Sequence, residues 1–230
     1  MKALFRLMQT LLWKLKMTEI NIKKDIIKFS KLFDKKNFSP IRSGNLSIRY
    51  ILKGIEGFII TPSGKKNSEL KTKDLVFMSM DGITSQNQKP SSEWRFHLDL
   101  YRNTNCNSVV HAHSKFSVIC SCLYKKIPPF HYMVALAGGE NINVAKYGLF
   151  GSKTLSKNIL KAIKNRKSCL IANHGQISIG NDIESAYELA EEIEKICEYY
   201  YYCKLHKEPK NLSKLEMRQV LNKILDYKQK

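Results

Sequence analysis

The spacing of apolar residues along the chain predicts an alternation of helices and short strands. Over residues 18–36 the apolar side chains recur every three to four positions, which is the period of an amphipathic helix. Runs of β-branched and aromatic residues, separated by glycine-containing turns, then predict strands at residues 45–50, 58–61 and 74–79. The helical period returns over residues 91–102, where we expect Ser91 or Ser92 to be the N-cap and Glu93 to fall in the first turn.

The second half of the chain continues this alternation and closes with one long helix. Residues 108–113 predict a strand followed by a helix through residue 123, and residues 152–166 predict a helix with a basic exposed face. Strands at residues 168–173 and 176–179 flank His174 and Gly175. An apolar stripe then predicts a helix that begins near Asn181 or Asp182. These elements predict one α/β domain of three layers, α/β/α, around a mainly antiparallel central sheet.

Composition and charge narrow the class of protein. Hydrophobic residues make up 43% of the 230 residues, which is enough for a sizeable core, and no stretch of about 18 apolar residues predicts a membrane span. The net charge is +19, concentrated in residues 1–40, 153–167 and 204–230. No nucleic-acid-binding motif accompanies this charge, so we expect no nucleic-acid partner and no membrane partner. A basic surface can also attract a phosphorylated substrate.

The first 17 residues and the six cysteines bear on where the protein works. Residues 1–17 are basic and amphipathic but lack the cleavage site of a secretory signal. They fit a transit peptide, a membrane-surface helix, an ordinary terminal helix, or a stretch upstream of a true start at Met17, in which case this extension would not be native. The cysteines lack zinc-ribbon spacing, which predicts buried free thiols in a reducing compartment.

The strongest chemical signal is the sequence His111-Ala112-His113 at the end of an apolar strand. Residues i and i+2 of a strand point to the same face, so both imidazoles can reach one metal ion. His174, which follows another apolar strand, is the natural third ligand of a site that leaves a fourth position open. Two histidines in this spacing are equally compatible with partly buried polar residues that bind nothing.

A second signal is a set of groups suited to an anion. Ser91 and Ser92 offer hydroxyl and backbone N–H groups at a predicted helix N-terminus, where Glu93 could act as a base or merely support the helix. Glycine-containing turns at residues 43–45 and 61–64 add further donors, although each alone is typical of an ordinary turn. No G-x-G-x-x-G motif, phosphate-binding P-loop or G-x-S-x-G elbow is present, which argues against nucleotide binding and serine hydrolase chemistry.

Several motifs in one order carry a resemblance to a known family. The motifs are GNLSIRY, ITPSG, SSEWRFH, VVHAH, HYMVALAGG, YGLFGS and NRKSCLIANHG, followed by a closing acidic helix. With these motifs in this order, the chain resembles the class II aldolase/adducin-head superfamily over residues 20–230, and within it the L-fuculose-1-phosphate aldolases. The resemblance implies that residues 18–230 form a class II aldolase-like catalytic domain.

The resemblance also implies roles for particular residues. It implies one Zn²⁺ per subunit on His111, His113 and His174, with Glu93 as the catalytic acid/base. The implied phosphate-binding residues are Asn45, Ser63, Gly64, Ser91 and Ser92. Tyr132 matches a tyrosine lent by a neighbouring subunit, Tyr227 a C-terminal tyrosine that closes the site, and Phe150 an aromatic wall near the aldehyde. Arg42 departs from the family, which commonly has a small hydroxyl residue there.

The function implied is that of a cytoplasmic homotetramer with active sites at the subunit interfaces. It would cleave a ketose 1-phosphate, with L-fuculose 1-phosphate expected first, reversibly to dihydroxyacetone phosphate and L-lactaldehyde. Other superfamily activities on sugar phosphates stay open: a deoxyribulose-phosphate aldolase, a 4-epimerase or a dehydratase. A non-catalytic adducin-like binding module is a further alternative, against which the four intact residues Glu93, His111, His113 and His174 argue.

Overall fold

A computed structural model describes residues 18–84 and 89–227, and the predicted extension at residues 1–17 lies outside them. The α-helices of this part are α1 (Glu19–Lys35), α2 (Trp94–Asn103), α3 (Lys115–Leu123), α4 (Lys153–Ile163), α5 (Ile183–His206) and α6 (Lys214–Tyr227). Three short 3₁₀ helices cover Asn67–Glu69, Thr72–Asp74 and Tyr132–Ala137. The strands are β1 (Asn45–Leu52), β2 (Ile55–Ile60), β3 (Val76–Ser79), β4 (Ser108–Ala112), β5 (Lys126–Ile127), β6 (Ile142–Ala145), β7 (Ser168–Ile171) and β8 (Gly175–Gly180).

The strands form one sheet in the order β3-β2-β1-β4-β8-β7-β6-β5. Every neighbouring pair is antiparallel except β6 and β7, which are parallel. β4 lies at the centre of the sheet, where His111 is paired with Asn45 of β1 on one side and with Ile177 of β8 on the other. The predicted mainly antiparallel sheet is therefore confirmed.

Helices cover both faces of this sheet, as the three-layer prediction requires. Successive side chains of β4 point to opposite faces: Val109 belongs to the core under α2 and α4, whereas Val110 belongs to the core under α1 and α5. A third apolar cluster joins α3, α5 and α6 beyond β7. Because His111 is two residues from Val109, its ring lies on the α2 side of the sheet.

The predicted elements are present with shifted ends. The long helix begins after Asp182, whose carboxylate accepts a hydrogen bond from the backbone N–H of Ser185 at 2.7 Å. Helix α2 begins at Trp94, so the prediction that Ser91 or Ser92 is its N-cap is wrong. The sequence patterns also missed β5, β6, the 3₁₀ helices and α6. Among the described residues, no helix is both long enough and apolar enough to cross a membrane.

All six cysteines are free thiols, as predicted. Cys106, Cys120, Cys169 and Cys197 are buried, but Cys122 and Cys203 are exposed, which corrects the expectation that all would be buried. The correction has a simple geometric reason, since Cys122 lies on the solvent side of α3 two residues from the buried Cys120.

Candidate metal centre

Three histidines meet where the central strands end. His111 and His113 come from the end of β4, and His174 lies in the tight turn between β7 and β8. A Cβ atom on Gly175 would lie only 2.3 Å from the backbone oxygen of Ala112, so only glycine lets this turn press against β4. The short turn therefore fixes the distance between His174 and the other two rings.

The three imidazole rings face one point from three directions. Their centroids are 4.7 to 4.9 Å apart, with interplanar angles of 70°, 87° and 87°. The Nε2 atoms of His111 and His113 are 2.8 Å apart. One possible ligand atom from each histidine and one carboxylate oxygen of Glu93 all lie within 4.8 Å of one another.

The protonation of the rings suits metal binding. His111 is fully buried, and its Nδ1 donates to the backbone oxygen of Gln176 at 2.8 Å, which leaves the Nε2 lone pair facing the cluster. Burial lowers the pKa of His113 to about 3 and that of His174 to about 4, and the proximity of His111 lowers both further. His113 and His174 are thus neutral at neutral pH and can present lone pairs beside the Nε2 of His111.

Glu93 is the residue immediately before α2, but its side chain does not cap the helix. Its Oε2 is 3.1 Å from His111 Nε2 and its Oε1 is 3.3 Å from His174 Nε2. Burial alone would raise the pKa of Glu93, but attraction to His111 and His174 outweighs burial and lowers it to about 2. The carboxylate is therefore turned into the cluster and not onto the N-terminus of the helix.

The cluster fits a divalent cation. Glu93 Oε1 is buried without a hydrogen-bond partner among the described residues, and a cation beside it would satisfy that oxygen. Three imidazoles with one carboxylate are a donor set that zinc takes readily, and other first-row divalent ions also accept imidazole.

The residues predicted to bind phosphate lie beside this cluster. Pro62 and Pro90 form a bridge between their two segments, and the backbone N–H of Ser63 donates to Lys89 at 3.2 Å. Asn45 is buried at the start of β1, and its amide nitrogen donates to Ser91 Oγ at 3.0 Å. Ser63, Gly64 and Ser92 are exposed and Ser91 is buried. The turn at residues 61–64 and the segment at residues 90–92 thus lie side by side, and Ser91 of the second is hydrogen-bonded to Asn45.

The remaining predicted residues are more peripheral. Tyr132 is 53% exposed at the start of a 3₁₀ helix, and its ring packs against His131 with the centroids 4.9 Å apart. Phe150 is 62% exposed, and the next residue, Gly151, accepts a long hydrogen bond from Arg95 of α2. Arg42 is exposed one residue before Ser43. Tyr227 ends α6, and its side chain lies outside what the structure describes.

Comparison with known proteins gives relatives along most of the chain. The family described as class II aldolase and adducin N-terminal domain matches residues 24–201. The 5-methylthioribulose-1-phosphate/5-deoxyribulose-1-phosphate aldolase of Rhodospirillum rubrum is 43% identical over 186 residues, which cover 80% of this chain and 82% of that one. The chain belongs to the class II aldolase and adducin family.

Two further relatives agree with this assignment. The L-fuculose phosphate aldolase of Haemophilus influenzae is 38% identical over 187 residues, covering 80% of this chain and 85% of that one. A solved structure of L-fuculose 1-phosphate aldolase superposes with a TM-score of 0.84 at 32% identity, covering 89% of this chain and 96% of that one. The chain is therefore a class II aldolase, a lyase acting on sugar phosphates, and not a non-catalytic adducin-like module.

A row of buried polar residues that the sequence patterns did not indicate lies behind Glu93 in this aldolase. Tyr101 OH lies 2.7 Å from Ser47 Oγ, and Ser47 Oγ lies 2.7 Å from Nδ1 of His97. The other ring nitrogen of His97 is hydrogen-bonded to Asn45 Oδ1, and Asn45 Nδ2 donates to Glu93 Oε2 at 3.2 Å. The sequence signal was a serine inside an apolar strand and a histidine one helical turn after Glu93.

A second missed group supports the histidines of the aldolase. Glu194 of α5 accepts hydrogen bonds from the backbone N–H groups of Phe116 and Ser117 at 2.7 and 2.8 Å, and from the hydroxyls of Ser114 and Ser117. These residues begin α3, directly after His113. Gln176, whose backbone oxygen holds His111, donates its side-chain amide to the same two hydroxyls at 2.9 Å. An acidic residue beside the apolar stripe of α5 was the available signal.

Proposed function

We propose that this class II aldolase uses a bound Zn²⁺ to cleave a deoxy-ketose 1-phosphate reversibly between C3 and C4. One product is dihydroxyacetone phosphate and the other is a short aldehyde. The observation that carries the proposal is the convergence of Glu93, His111, His113 and His174 in one buried cluster. Beside this cluster lie Ser63, Gly64, Ser91 and Ser92, whose hydroxyl and backbone N–H groups suit a phosphate.

The proposed chemistry assigns one task to each group. A divalent cation on the three imidazoles supplies Lewis-acid stabilisation for the negative charge that develops beside the carbonyl when the carbon–carbon bond breaks. Tyr132, contributed by a neighbouring subunit, relays the C4 hydroxyl proton to solvent during cleavage, its own hydroxyl proton leaving as the substrate proton arrives. In the direction of synthesis the Glu93 carboxylate removes a proton from C3 of dihydroxyacetone phosphate, and in cleavage it takes up a proton from solvent and passes it to C3. The backbone and hydroxyl donors of Ser63, Gly64, Ser91 and Ser92 hold the phosphate.

Two substrate types are supported by different relatives. L-fuculose 1-phosphate and 5-deoxyribulose 1-phosphate share the dihydroxyacetone phosphate half and differ only in the aldehyde that is released. The relative from Rhodospirillum rubrum favours 5-deoxyribulose or 5-methylthioribulose 1-phosphate, so we place these first. The relative from Haemophilus influenzae and the superposed structure favour L-fuculose 1-phosphate, which we place second.

A panel of ketose 1-phosphates tests the proposal. Zinc-loaded protein is incubated with each of the three substrates, and release of dihydroxyacetone phosphate is followed with a coupled dehydrogenase. Chelation should abolish release, and added Zn²⁺ should restore it. Release of an epimer or a dehydrated product instead would favour a 4-epimerase or a dehydratase. Full activity of demonstrably metal-free protein would contradict the metal-dependent mechanism.

The proposed assembly is a cytoplasmic homotetramer whose active sites lie between subunits. Exposed aromatic and aliphatic side chains at Tyr132, Tyr147, Leu149 and Phe150 support this, because a second copy of the chain would cover them. A shared site predicts that inactive His113→Ala and Tyr132→Phe subunits regain activity when mixed into hybrids. Hybrids no more active than their parents would place the whole site within one chain.

A further inference from the structure

Which group donates and which accepts in each hydrogen bond of the buried row behind Glu93 follows from the chemistry of its members. Asn45 Oδ1 can only accept a hydrogen bond, so the His97 Nε2 that contacts it must carry the ring proton. The ring is neutral, because burial, with a smaller contribution from nearby His111, lowers the pKa of His97 to about 3. Nδ1 is therefore an acceptor, and it takes the hydroxyl proton of Ser47.

The same reasoning fixes the two ends of the row. Since Ser47 gives its proton to His97, its oxygen is left to accept from the hydroxyl of Tyr101. At the other end Asn45 uses its amide N–H groups on Ser91 Oγ and Glu93 Oε2. Every hydrogen bond of the row thus points from Tyr101 towards Glu93.

We propose that His97 is a positioning residue that locks the Asn45 amide so that one group orients both Glu93 and Ser91. This inference rests on the proposed function, in which Glu93 moves the proton and Ser91 binds phosphate. Without the N–H of His97, the Asn45 amide could rotate and turn its oxygen towards the Glu93 carboxylate. Two oxygens would then face each other at a buried site, and the carboxylate would lose its orientation.

The first test substitutes His97 and follows exchange of the C3 proton of dihydroxyacetone phosphate with solvent, using zinc-loaded protein. His97→Leu removes the N–H at similar size, and we expect kcat to fall about 10–100-fold because the proton acceptor is misplaced. KM for dihydroxyacetone phosphate should rise in the same variant, since Ser91 is released together with Glu93. His97→Gln, whose amide nitrogen can take the place of Nε2, should restore most of both parameters.

A double-mutant cycle shows whether His97 acts through Asn45. In an Asn45→Ala background, His97→Leu should have little further effect on kcat or KM, because the group it positions is already gone. Losses that multiply in the double variant would overturn the proposal, and so would a His97→Gln protein as impaired as His97→Leu.

A packing control separates positioning from general damage to α2. Leu100 is fully buried on the same helix and makes no part of the row. Leu100→Ala should lower the melting temperature through the cavity it leaves, while proton exchange well below that temperature keeps its wild-type kcat and KM. If Leu100→Ala reproduced the kinetic loss of His97→Leu, the effect would be structural and the proposal would be wrong.

A measurement without turnover keeps the two proposals distinguishable. If the wild-type protein exchanged no proton, the proposed function would fail, and ¹⁵N spectra of labelled histidine would still decide the role of His97. We expect His97 to carry its proton on Nε2, and the side-chain amide protons of Asn45 to exchange faster with water in His97→Leu than in the wild type. A proton on Nδ1, or unchanged Asn45 protection, would overturn the inference.

Discussion

The two sides of the metal centre are held by different kinds of structure. His111 is oriented by a backbone oxygen, that of Gln176, which belongs to the ladder between β4 and β8. Glu93 is oriented by a side-chain amide, that of Asn45, which depends in turn on His97. A ladder carbonyl cannot turn away without breaking the sheet, whereas an amide can rotate about its own bond.

This difference implies that metal binding and proton transfer can be disrupted separately. The side of the centre formed by the histidines should be as rigid as the central sheet. Substitutions of residues that support the histidines should therefore change stability and metal affinity. The side formed by Glu93 and its supporting residues should tolerate substitutions without unfolding. Substitutions on that side should therefore change the rate of proton transfer.

The largest effect is expected from His113→Ala. Removing one of three imidazoles leaves only His111, His174 and the Glu93 carboxylate, which lowers the affinity for zinc, so metal retained after dialysis against a chelator should fall from about one ion per chain to almost none. Turnover should vanish with it, while the sheet and helices persist. Metal content after dialysis, circular dichroism and the aldolase assay check these outcomes on one sample. A variant that kept its metal would remove His113 from the ligand set.

Glu93→Gln should be the next largest effect and should leave metal in place. Glutamine is nearly isosteric and can still accept from Asn45, but it cannot take up a proton, so proton exchange should slow roughly 10²–10⁴-fold. The melting temperature should hardly move, because Glu93 does not cap α2. Exchange of the dihydroxyacetone phosphate proton is the decisive measurement. A zinc-loaded variant that exchanges at the wild-type rate would show that another residue is the base.

Glu194→Ala should act on stability and metal affinity, with a smaller effect on catalysis. It leaves two backbone N–H groups at the start of α3 without their acceptor, and we expect a loss of about 2–3 kcal/mol of unfolding free energy. Metal affinity should fall roughly tenfold, because α3 follows His113 directly. Urea unfolding and chelator competition measure the two quantities.

A matched control for Glu194 lies on the same helix. Glu198 is half-buried and forms an ion pair with the exposed Lys195, one turn earlier on α5, at 2.8 Å. Glu198→Ala should change stability by less than about 0.5 kcal/mol and leave metal affinity unchanged. Equal losses in the two variants would mean that α5 tolerates no loss of charge, rather than that Glu194 supports the histidines.

Tyr101→Phe should give the smallest effect. It removes the outermost hydroxyl of the row behind Glu93, but Ser47 can still donate to His97 and keep its orientation. We expect about 1 kcal/mol of lost stability and nearly unchanged proton exchange. Thermal unfolding and exchange kinetics measure both. A large kinetic loss would show that the orientation of His97 depends on the far end of the row.

Parts of the fold and site were predictable because their signals are local. The i, i+2 spacing of His111 and His113 and the Gly175 turn beside His174 are readable in the chain, and the structure brings these residues together. The start of α2 was not predictable, because serines normally cap helices and no local pattern shows that Glu93, without a capping side chain, is the residue before this one. Helix α6 was not predicted, because few of its described side chains are fully buried and its sequence therefore shows no clear apolar stripe.

The residues behind the site could not be assigned from the sequence for a different reason. Ser47, His97 and Glu194 matter through partners that are distant in the chain, and no local pattern shows which polar residue will be buried beside which. Their positions follow from the register between strands and from the packing of α2 and α5 against the sheet.

The metal centre is assembled from three separate segments of the chain, and this has a consequence for the lifetime of the protein. Glu93, the β4 histidines and His174 come together only when β4, β7 and β8 have paired, so an ion on them binds the native state and not the unfolded chain. Free metal at a hundred times its dissociation constant would add about 2.7 kcal/mol to native-state stability. Metal supply would then set how slowly the protein is degraded, as well as how fast it works.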